Sequence, residues 1–159
     1  MENNYKKGFT LIELLIVITV IGLLVVVIIT SLAAAKTKGE DAATKRDLDT
    51  VRTQANLYYT NTGNSYGALT AACNSGMYSA DATIVAAVTH ATSTSTAIAC
   101  NTGPTDQIFA AAVTLKTGSG YYCVDSMNAG KTISTSVATS GLVGAGATYA
   151  LNTTTGLCI

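Results

Sequence analysis

The stretch that decides the fold is residues 6–29, which read KKGFTLIELLIVITVIGLLVVVII. After the basic pair Lys6 and Lys7 this run is apolar, and Glu13 is the one charge before Lys36. A carboxylate on a helix at membrane depth costs about 2.5–3.5 kcal/mol even on the lenient insertion scales. Such an acid needs a cationic partner to offset that cost. The apolar stretch supplies none, so we expect Glu13 to meet a cation brought by another molecule.

The apolar run is long enough to cross a membrane. Residues 14–29 are uncharged and residues 9–35 carry a single charge, whereas a spanning helix needs about 20 apolar residues. Lys6 and Lys7 place the N-terminus of such a helix in the cytoplasm.

Two simpler interpretations of the N-terminus stay open. One is an ordinary secretory signal cut at the small residues 33–35, which would release a domain starting at Lys36. The other is a plain membrane anchor. Neither gives Glu13 a role.

Residues 6–14, KKGFTLIEL, resemble the class III signal of type IV pilins and pseudopilins. The family pattern is a short basic leader, a glycine, the run Phe-Thr-Leu-Ile-Glu and an apolar helix, and the match has no gap. The resemblance implies that prepilin peptidase cuts between Gly8 and Phe9, and that Phe9 becomes the N-methylated terminus. It also implies that Glu13 pairs with the Phe9 amine of an adjacent subunit and sets the register of a filament.

The predicted helix continues beyond the apolar run. Residues 36–61 contain no proline, and Leu48, Val51 and Ala55 recur at helical spacing, which predicts an amphipathic half that packs on the rest of the chain. The whole helix would hold about 50 residues and measure about 75 Å. Gly22 costs about 1 kcal/mol against Ala inside a helix, so the sequence predicts a soft point there.

The charges are unevenly distributed. Residues 36–52 carry nine of them, residues 61–159 carry five, and the net charge of the chain is zero. The sequence therefore offers no basic field for specific nucleic-acid binding. Asp41 and Lys45 form an i,i+4 pair that predicts an exposed face, and we interpret the charged segment as solvated or salt-bridged between subunits.

The rest of the chain predicts a small α+β head. Strand signals cover residues 108–116, 121–126, 131–138 and 147–152, with a hairpin turn at residues 117–120. Residues 62–107 read as a long loop region with a short element at residues 80–91. The resemblance implies the pilin fold, a long N-terminal helix packed on an antiparallel sheet of three or four strands. The predicted divisions are a leader (1–8), a membrane or filament-core helix (9–35), its amphipathic half (36–61), the loop region (62–107) and the sheet with a disulfide-tied C-terminal region (108–159).

Four cysteines lie in this head, at positions 73, 100, 123 and 158. Their spacing fits no zinc or redox motif, and three pairings are possible. On the far side of a membrane such cysteines form disulfides. We favour Cys73–Cys100, which would close a loop, and Cys123–Cys158, which would tie the C-terminus to the sheet as in many pilins.

The chain shows no recognisable catalytic, cofactor or metal motif. Its one histidine, His90, has no acid or nucleophile near it in sequence, which favours a structural role. Asp106 and Asp125 are few for the calcium site that major pseudopilins have, since calcium takes 6–8 oxygen ligands. Tyr58 and Tyr59 are interpreted as packing residues under the sheet.

By the resemblance, the chain is a structural subunit and not an enzyme. It would wait in the inner membrane, associate with the assembly platform and minor pilins, and polymerise with its own copies into a surface filament. Such filaments support adhesion, twitching motility or DNA uptake. The alternatives are a pseudopilin of a type II secretion or competence system and, from another class, a membrane-anchored or secreted binding domain.

Overall fold

The computed structural model describes residues 8–68, 73–95, 97–103, 106–118, 120–134 and 157–158. The chain divides into two compact units, Met1–Lys36 and Thr37–Ile159, and the second is called the head below. One helix, α1 (Leu11–Asn61), belongs to both. The head also contains α2 (Met77–Ala80), α3 (Ala82–Thr94), β1 (Ile98–Thr102), β2 (Phe109–Thr114), β3 (Tyr121–Asp125) and β4 (Gly130–Ile133).

The two halves of α1 differ in burial. In the first unit its apolar side chains are exposed on every side of the helix. In the head, Thr44, Leu48, Val51 and Ala55 are buried at intervals of three or four residues. This spacing places them on one face of the helix, so the predicted amphipathic half is confirmed.

The helix ends where the sequence predicts. α1 stops at Asn61, and the N–H of Asn64 donates to the carbonyl of Tyr59 at 2.9 Å. Gly63 and Asn64 have φ of 74° and 64°, in the left-handed region that ends many helices.

The four strands form one antiparallel sheet in the order β1-β2-β3-β4. The predicted strands at residues 108–116 and 121–126 correspond to β2 and β3, and Gly118 and Gly120 take positive φ in the turn between them. The predicted strand 131–138 corresponds to β4 up to Ile133. Its residues beyond 134, and the whole predicted strand 147–152, lie outside the described residues. A long helix packed on a small antiparallel sheet confirms the α+β fold.

Alternation along the strands gives the sheet two apolar faces. Phe109, Ala111 and Val113 of β2 share one core with Leu48 and Val51 of α1. The intervening Ala110 and Ala112 belong to a second cluster, together with Ala99, Cys123 and Ile133. Side chains of a strand point alternately to opposite faces. One face of the sheet therefore packs on α1, and the side chains of the other face form the second cluster.

The segment predicted as a long loop contains more regular structure than the sequence indicates. Between residues 62 and 107 the structure has α2, the 13-residue helix α3 and the strand β1. Asp81 caps α3 by accepting hydrogen bonds from the N–H groups of Thr83 and Ile84. Small residues such as Ala87 and Ala91 form much of its buried face, which makes the helical period faint in the sequence. The sequence did not predict β1. This strand is defined by its pairing with β2, which a local pattern does not show.

The prediction that Asp41 forms an exposed pair with Lys45 is wrong. Asp41 is 7% exposed, and its carboxylate accepts hydrogen bonds from the N–H of Lys116 at 2.7 Å, the N–H of Thr117 at 3.1 Å and the Thr117 hydroxyl. Lys116 and Thr117 lie in the turn between β2 and β3. Burial by itself raises the pKa of Asp41, but these three hydrogen bonds and the charge of Lys45 lower it overall.

A second set of polar contacts connects α1 to the sheet, further along the helix than Asp41. The Tyr122 hydroxyl donates to Asp49 at 3.0 Å, and Arg52 both pairs with Asp49 at 3.3 Å and donates to the carbonyl of Asn128. A Cβ at Gly130 would lie 2.7 Å from the Arg52 guanidinium, so a larger residue there would displace the end of the Arg52 side chain. Burial raises the pKa of the Tyr122 hydroxyl, and its bond to Asp49 raises it further.

Asp41→Ala should lower the free energy of unfolding of the head by about 1.5–3 kcal/mol, because it removes the three hydrogen bonds that the buried carboxylate accepts from the β2–β3 turn. The matched control is its neighbour Glu40, whose carboxylate makes a partly exposed ion pair with Lys116 at 2.9 Å. Glu40→Ala should cost less than about 1 kcal/mol. Urea unfolding of the full chain in mild detergent, followed by tyrosine fluorescence, measures both. Equal losses would contradict the role given to Asp41.

The lowered pKa of Asp41 predicts an acid-sensitive stability. Because the folded-state pKa lies below the unfolded value of about 3.9, the contribution is present above that value and is lost as pH falls through the folded pKa. The destabilisation caused by Asp41→Asn at pH 7 should therefore shrink as the pH falls through the folded-state pKa, below which the wild-type carboxyl is also neutral. Unfolding curves of both proteins across this range test it. A difference that stays constant with pH would rule it out.

Candidate functional site

The segment before α1 is not helical. Gly8, Phe9 and Thr10 precede the first helical residue, Leu11. Gly8 is exposed and the Phe9 ring is 89% exposed. The Gly8–Phe9 peptide bond therefore lies in open, non-helical chain, where a protease can reach it.

Thr10 and Glu13 hold the start of α1 by bonding to each other. The N–H and the hydroxyl of Thr10 donate to Oε2 of Glu13 at 2.9 and 2.8 Å, and the N–H of Glu13 donates to the Thr10 hydroxyl oxygen at 3.3 Å. This reciprocal pair is a capping box, with Thr10 at the N-cap and Glu13 three residues later. The sequence reasoning missed Thr10, although the spacing Thr-x-x-Glu before an apolar run is the signal for it.

The hydrogen bonds that the described residues make with the Glu13 carboxylate all end on Oε2. No ion pair to Glu13 is found among the described residues. The capping box holds the carboxylate through Oε2, and its donors are neutral groups, so it does not neutralise the charge.

The helix behind this carboxylate is suited to a membrane. Within the part of the chain that the structure describes, α1 alone is long and apolar enough to cross one, and its most apolar window has no buried residue. The helix is unbroken at Gly22, where a Cβ would meet no atom within 4 Å. The soft point at Gly22 stays a prediction.

The comparisons identify the N-terminal segment. Residues 3–29 match the family model described as the prokaryotic N-terminal methylation motif, the class III signal peptide of type IV pilins. The chain carries a class III signal. Neither a curated protein sequence nor a solved structure matches the chain significantly.

The class III signal supports a type IV pilin-like or pseudopilin precursor. The motif and the apolar helix fit a membrane-anchored precursor. The motif also implies processing by prepilin peptidase and assembly with other pilins, and proteins of the type IV pilin family are structural rather than enzymatic.

The four cysteines form two disulfides, Cys73–Cys100 and Cys123–Cys158, in the pairing that we favoured. Cys100 belongs to the core that faces α1, whereas Cys123 belongs to the cluster on the opposite face of the sheet. One bridge therefore ties the loop before α2 to β1, and the other ties the C-terminus to β3.

Of the two acids considered for calcium, Asp125 has a role in the fold. Its carboxylate is buried and accepts hydrogen bonds from the N–H groups of Met127, Ala129 and Cys158, each at 3.0–3.1 Å. Asp106 is exposed and has a positive φ of 57°, and its backbone carbonyl accepts a hydrogen bond from the N–H of Tyr66. Among the described residues no group of three metal-ligating side chains comes together.

His90 acquires an acid that the sequence does not place near it. Its Nδ1 lies 2.6 Å from Oδ2 of Asp47, which joins α3 to α1. Tyr58 and Tyr59 pack against the main core as predicted, and the Tyr59 ring lies 4.6 Å from that of Tyr66. These side chains therefore hold helices and loops together.

Proposed function

We propose that this chain is a structural subunit of a type IV pilus. The observation that carries the proposal is the class III signal at residues 3–29. It leads into the exposed apolar part of α1, residues 11–35, whose one charge is Glu13. In this proposal prepilin peptidase cuts between Gly8 and Phe9, and the new Phe9 amine is methylated. The subunit waits in the inner membrane and then enters a filament on the cell surface, which serves adhesion, motility or DNA uptake.

The proposed assembly step pairs two charges. The Phe9 amine of one subunit meets Oε1 of Glu13 on its neighbour, while Thr10 keeps the carboxylate in place through Oε2. Helices in a membrane have no water-driven force that brings them together, so packing and specific polar pairs guide association. Neutralising two charges in a dry environment thereby selects one register. The exposed apolar side chains of α1 would then be covered by the same residues of other copies.

The runner-up is a pseudopilin of a type II secretion or competence system, in which the same helix would build a short periplasmic filament. Two observations favour the pilus. Asp125 already accepts three backbone N–H groups and would have to give them up to bind calcium as a major pseudopilin does. Residues 61–159 also carry only five charges, which suits packing among many copies. A membrane-anchored or secreted binding domain would leave Glu13 without a function.

The mature chain from its native host should begin at Phe9, with one added methyl group at its N-terminus. Intact-protein and N-terminal peptide mass spectra measure this directly. A chain that begins at Lys36 would instead be an ordinary secreted domain. An uncut Met1 would mean a static anchor, and either result would overturn the proposal.

Glu13→Gln separates charge from capping, because the amide oxygen still accepts from Thr10 but carries no charge. We expect Glu13→Gln and Glu13→Ala to insert and be processed, yet to reduce filament yield by more than about tenfold, since breaking a buried ion pair costs about 3–5 kcal/mol. Sheared filaments, quantified against total mature subunit, provide the measurement.

The matched control is Thr10→Val, which removes the hydroxyl and keeps the Glu13 charge. It should cost only the capping contribution, about 1 kcal/mol, and retain filaments. Wild-type yield from Glu13→Gln would disprove the charge pairing. Loss of filaments from Thr10→Val alone would assign the effect to helix capping.

A further inference from the structure

Nearly all acids of the head make contacts within the chain. Residues 37–159 contain seven acids, and six of their carboxylates accept a hydrogen bond or form an ion pair. These are Glu40, Asp41, Asp47, Asp49, Asp81 and Asp125. The seventh, Asp106, is exposed, and its carboxylate has no hydrogen bond or ion pair with the residues that the structure describes. Asp106 is therefore the acid of the head that a partner from outside the chain can engage.

The backbone of Asp106 is fixed although its side chain has no described partner. Its carbonyl accepts a hydrogen bond from the N–H of Tyr66 at 2.7 Å, and its N–H donates to the carbonyl of Gly103 at 3.3 Å. Its φ of 57° lies in the left-handed region, where aspartate and asparagine are enriched. A charge on a fixed backbone loses little conformational freedom when it makes a contact.

Asp106 lies near the C-terminal end of α1. The ring of Tyr66, whose N–H bonds to Asp106, lies 4.6 Å from the ring of Tyr59. Tyr59 precedes the end of the helix at Asn61 by two residues. The acid without a described partner is therefore presented at this end of the head.

A cation without a described partner lies near the start of α1 in the head. Lys38 is exposed and makes no hydrogen bond or ion pair with the described residues. It precedes Tyr59 by 21 residues, which is about 32 Å along the helix axis. Arg46 and Lys131 are also exposed without such a partner, but Arg46 lies about 12 Å nearer to Tyr59 and Lys131 lies on β4. Opposite charges are thus available at opposite ends of the head half of α1.

Copies that are displaced along α1 bring these two ends together. In the proposed filament the Phe9 amine of one subunit lies beside Glu13 of another, which displaces each copy in the same direction by four residues, or about 6 Å. Several such steps bring Lys38 of a later copy to the level of Asp106 of an earlier one. A contact between different ends of identical copies is heterologous, and it extends into a helical filament.

We propose that Asp106 of one subunit forms an ion pair with Lys38 of another copy in the filament. The proposal rests on the proposed function, since it requires parallel copies that are displaced along α1. It gives the heads a contact of their own, in addition to the pairing of Glu13 with Phe9 between the helices. Complementary charges contribute specificity more than affinity, so this pair selects how the heads pack.

The first test treats intact wild-type filaments with a carbodiimide, which couples a carboxylate to an amine that touches it. We expect mass spectrometry of the digested filaments to find a peptide pair that joins Asp106 to Lys38. The control is the mature monomer in mild detergent, where this peptide pair should be absent. Filaments in which Asp106 is coupled only to another lysine, or to none, would overturn the proposal.

The second test is a double-mutant cycle on the yield of sheared filaments. Lys38→Glu should lower the yield at least about fivefold, because it turns an attraction into a repulsion at every subunit. In the Asp106→Asn background, which keeps a residue suited to the left-handed backbone but removes the charge, Lys38→Glu should lower the yield less than about twofold. The matched control Lys131→Glu reverses another exposed charge and should lower the yield less than about twofold in both backgrounds.

Two outcomes of this cycle contradict the pairing. A loss from Lys38→Glu that persists in the Asp106→Asn background would belong to α1 itself. An equal loss from Lys131→Glu would assign the effect to the total charge of the head. Near-UV circular dichroism verifies that the head of each variant is folded, and the coupling experiment needs no variant.

Failure of the proposed function is recognised separately. A wild-type chain that is not cut at Phe9 and forms no filament would remove both the pilus and this contact. Wild-type filaments that begin at Phe9 but lack the peptide pair of Asp106 and Lys38 would overturn the contact alone.

Discussion

The head depends on one contact, the packing of the buried stripe of α1 against one face of the sheet. Leu48, Val51 and Ala55 are fully buried there with Phe109 and Val124. Neither partner can hide its apolar surface alone, because a helix has one apolar stripe and a sheet has two faces. The helix and the sheet therefore stabilise each other.

Apolar packing does not by itself determine how the two elements are oriented. Polar contacts between α1 and the rest of the head determine this orientation. The carboxylate of Asp41 holds the β2–β3 turn, and Asp49 with Arg52 holds Tyr122 and the turn before β4. On the other side, Gln54 donates to Asp81 at the start of α3. Each of these contacts connects a residue of α1 to a different element, and two of them give partners to the buried side chains of Asp41 and Tyr122. Together they determine how the sheet and α3 sit on the helix.

The same helix serves two environments, and the function follows from that division. In the first unit the side chains of α1 are apolar on all sides and exposed, which suits lipid or other copies of the helix. Glu13 is the one acid in this part of α1, and the capping box with Thr10 holds its carboxylate through Oε2. The Asp125 carboxylate and the Cys123–Cys158 bridge hold Cys158 against β3.

The sequence by itself determined the class III signal, the long helix, its buried stripe and the strands β2 and β3. Each of these features follows from a local sequence pattern: a motif with fixed spacing, the helical period near 3.6 residues or the strand period of 2 residues. It could also have revealed Thr10, from the spacing of the capping box. Only the tertiary structure decided that Asp41 is buried against a turn 75 residues away, that Asp47 meets His90, and that β1 is a strand. These contacts join residues that are far apart in the chain. The environment of each residue depends on its distant partner, and a local sequence pattern does not show which residue that partner is.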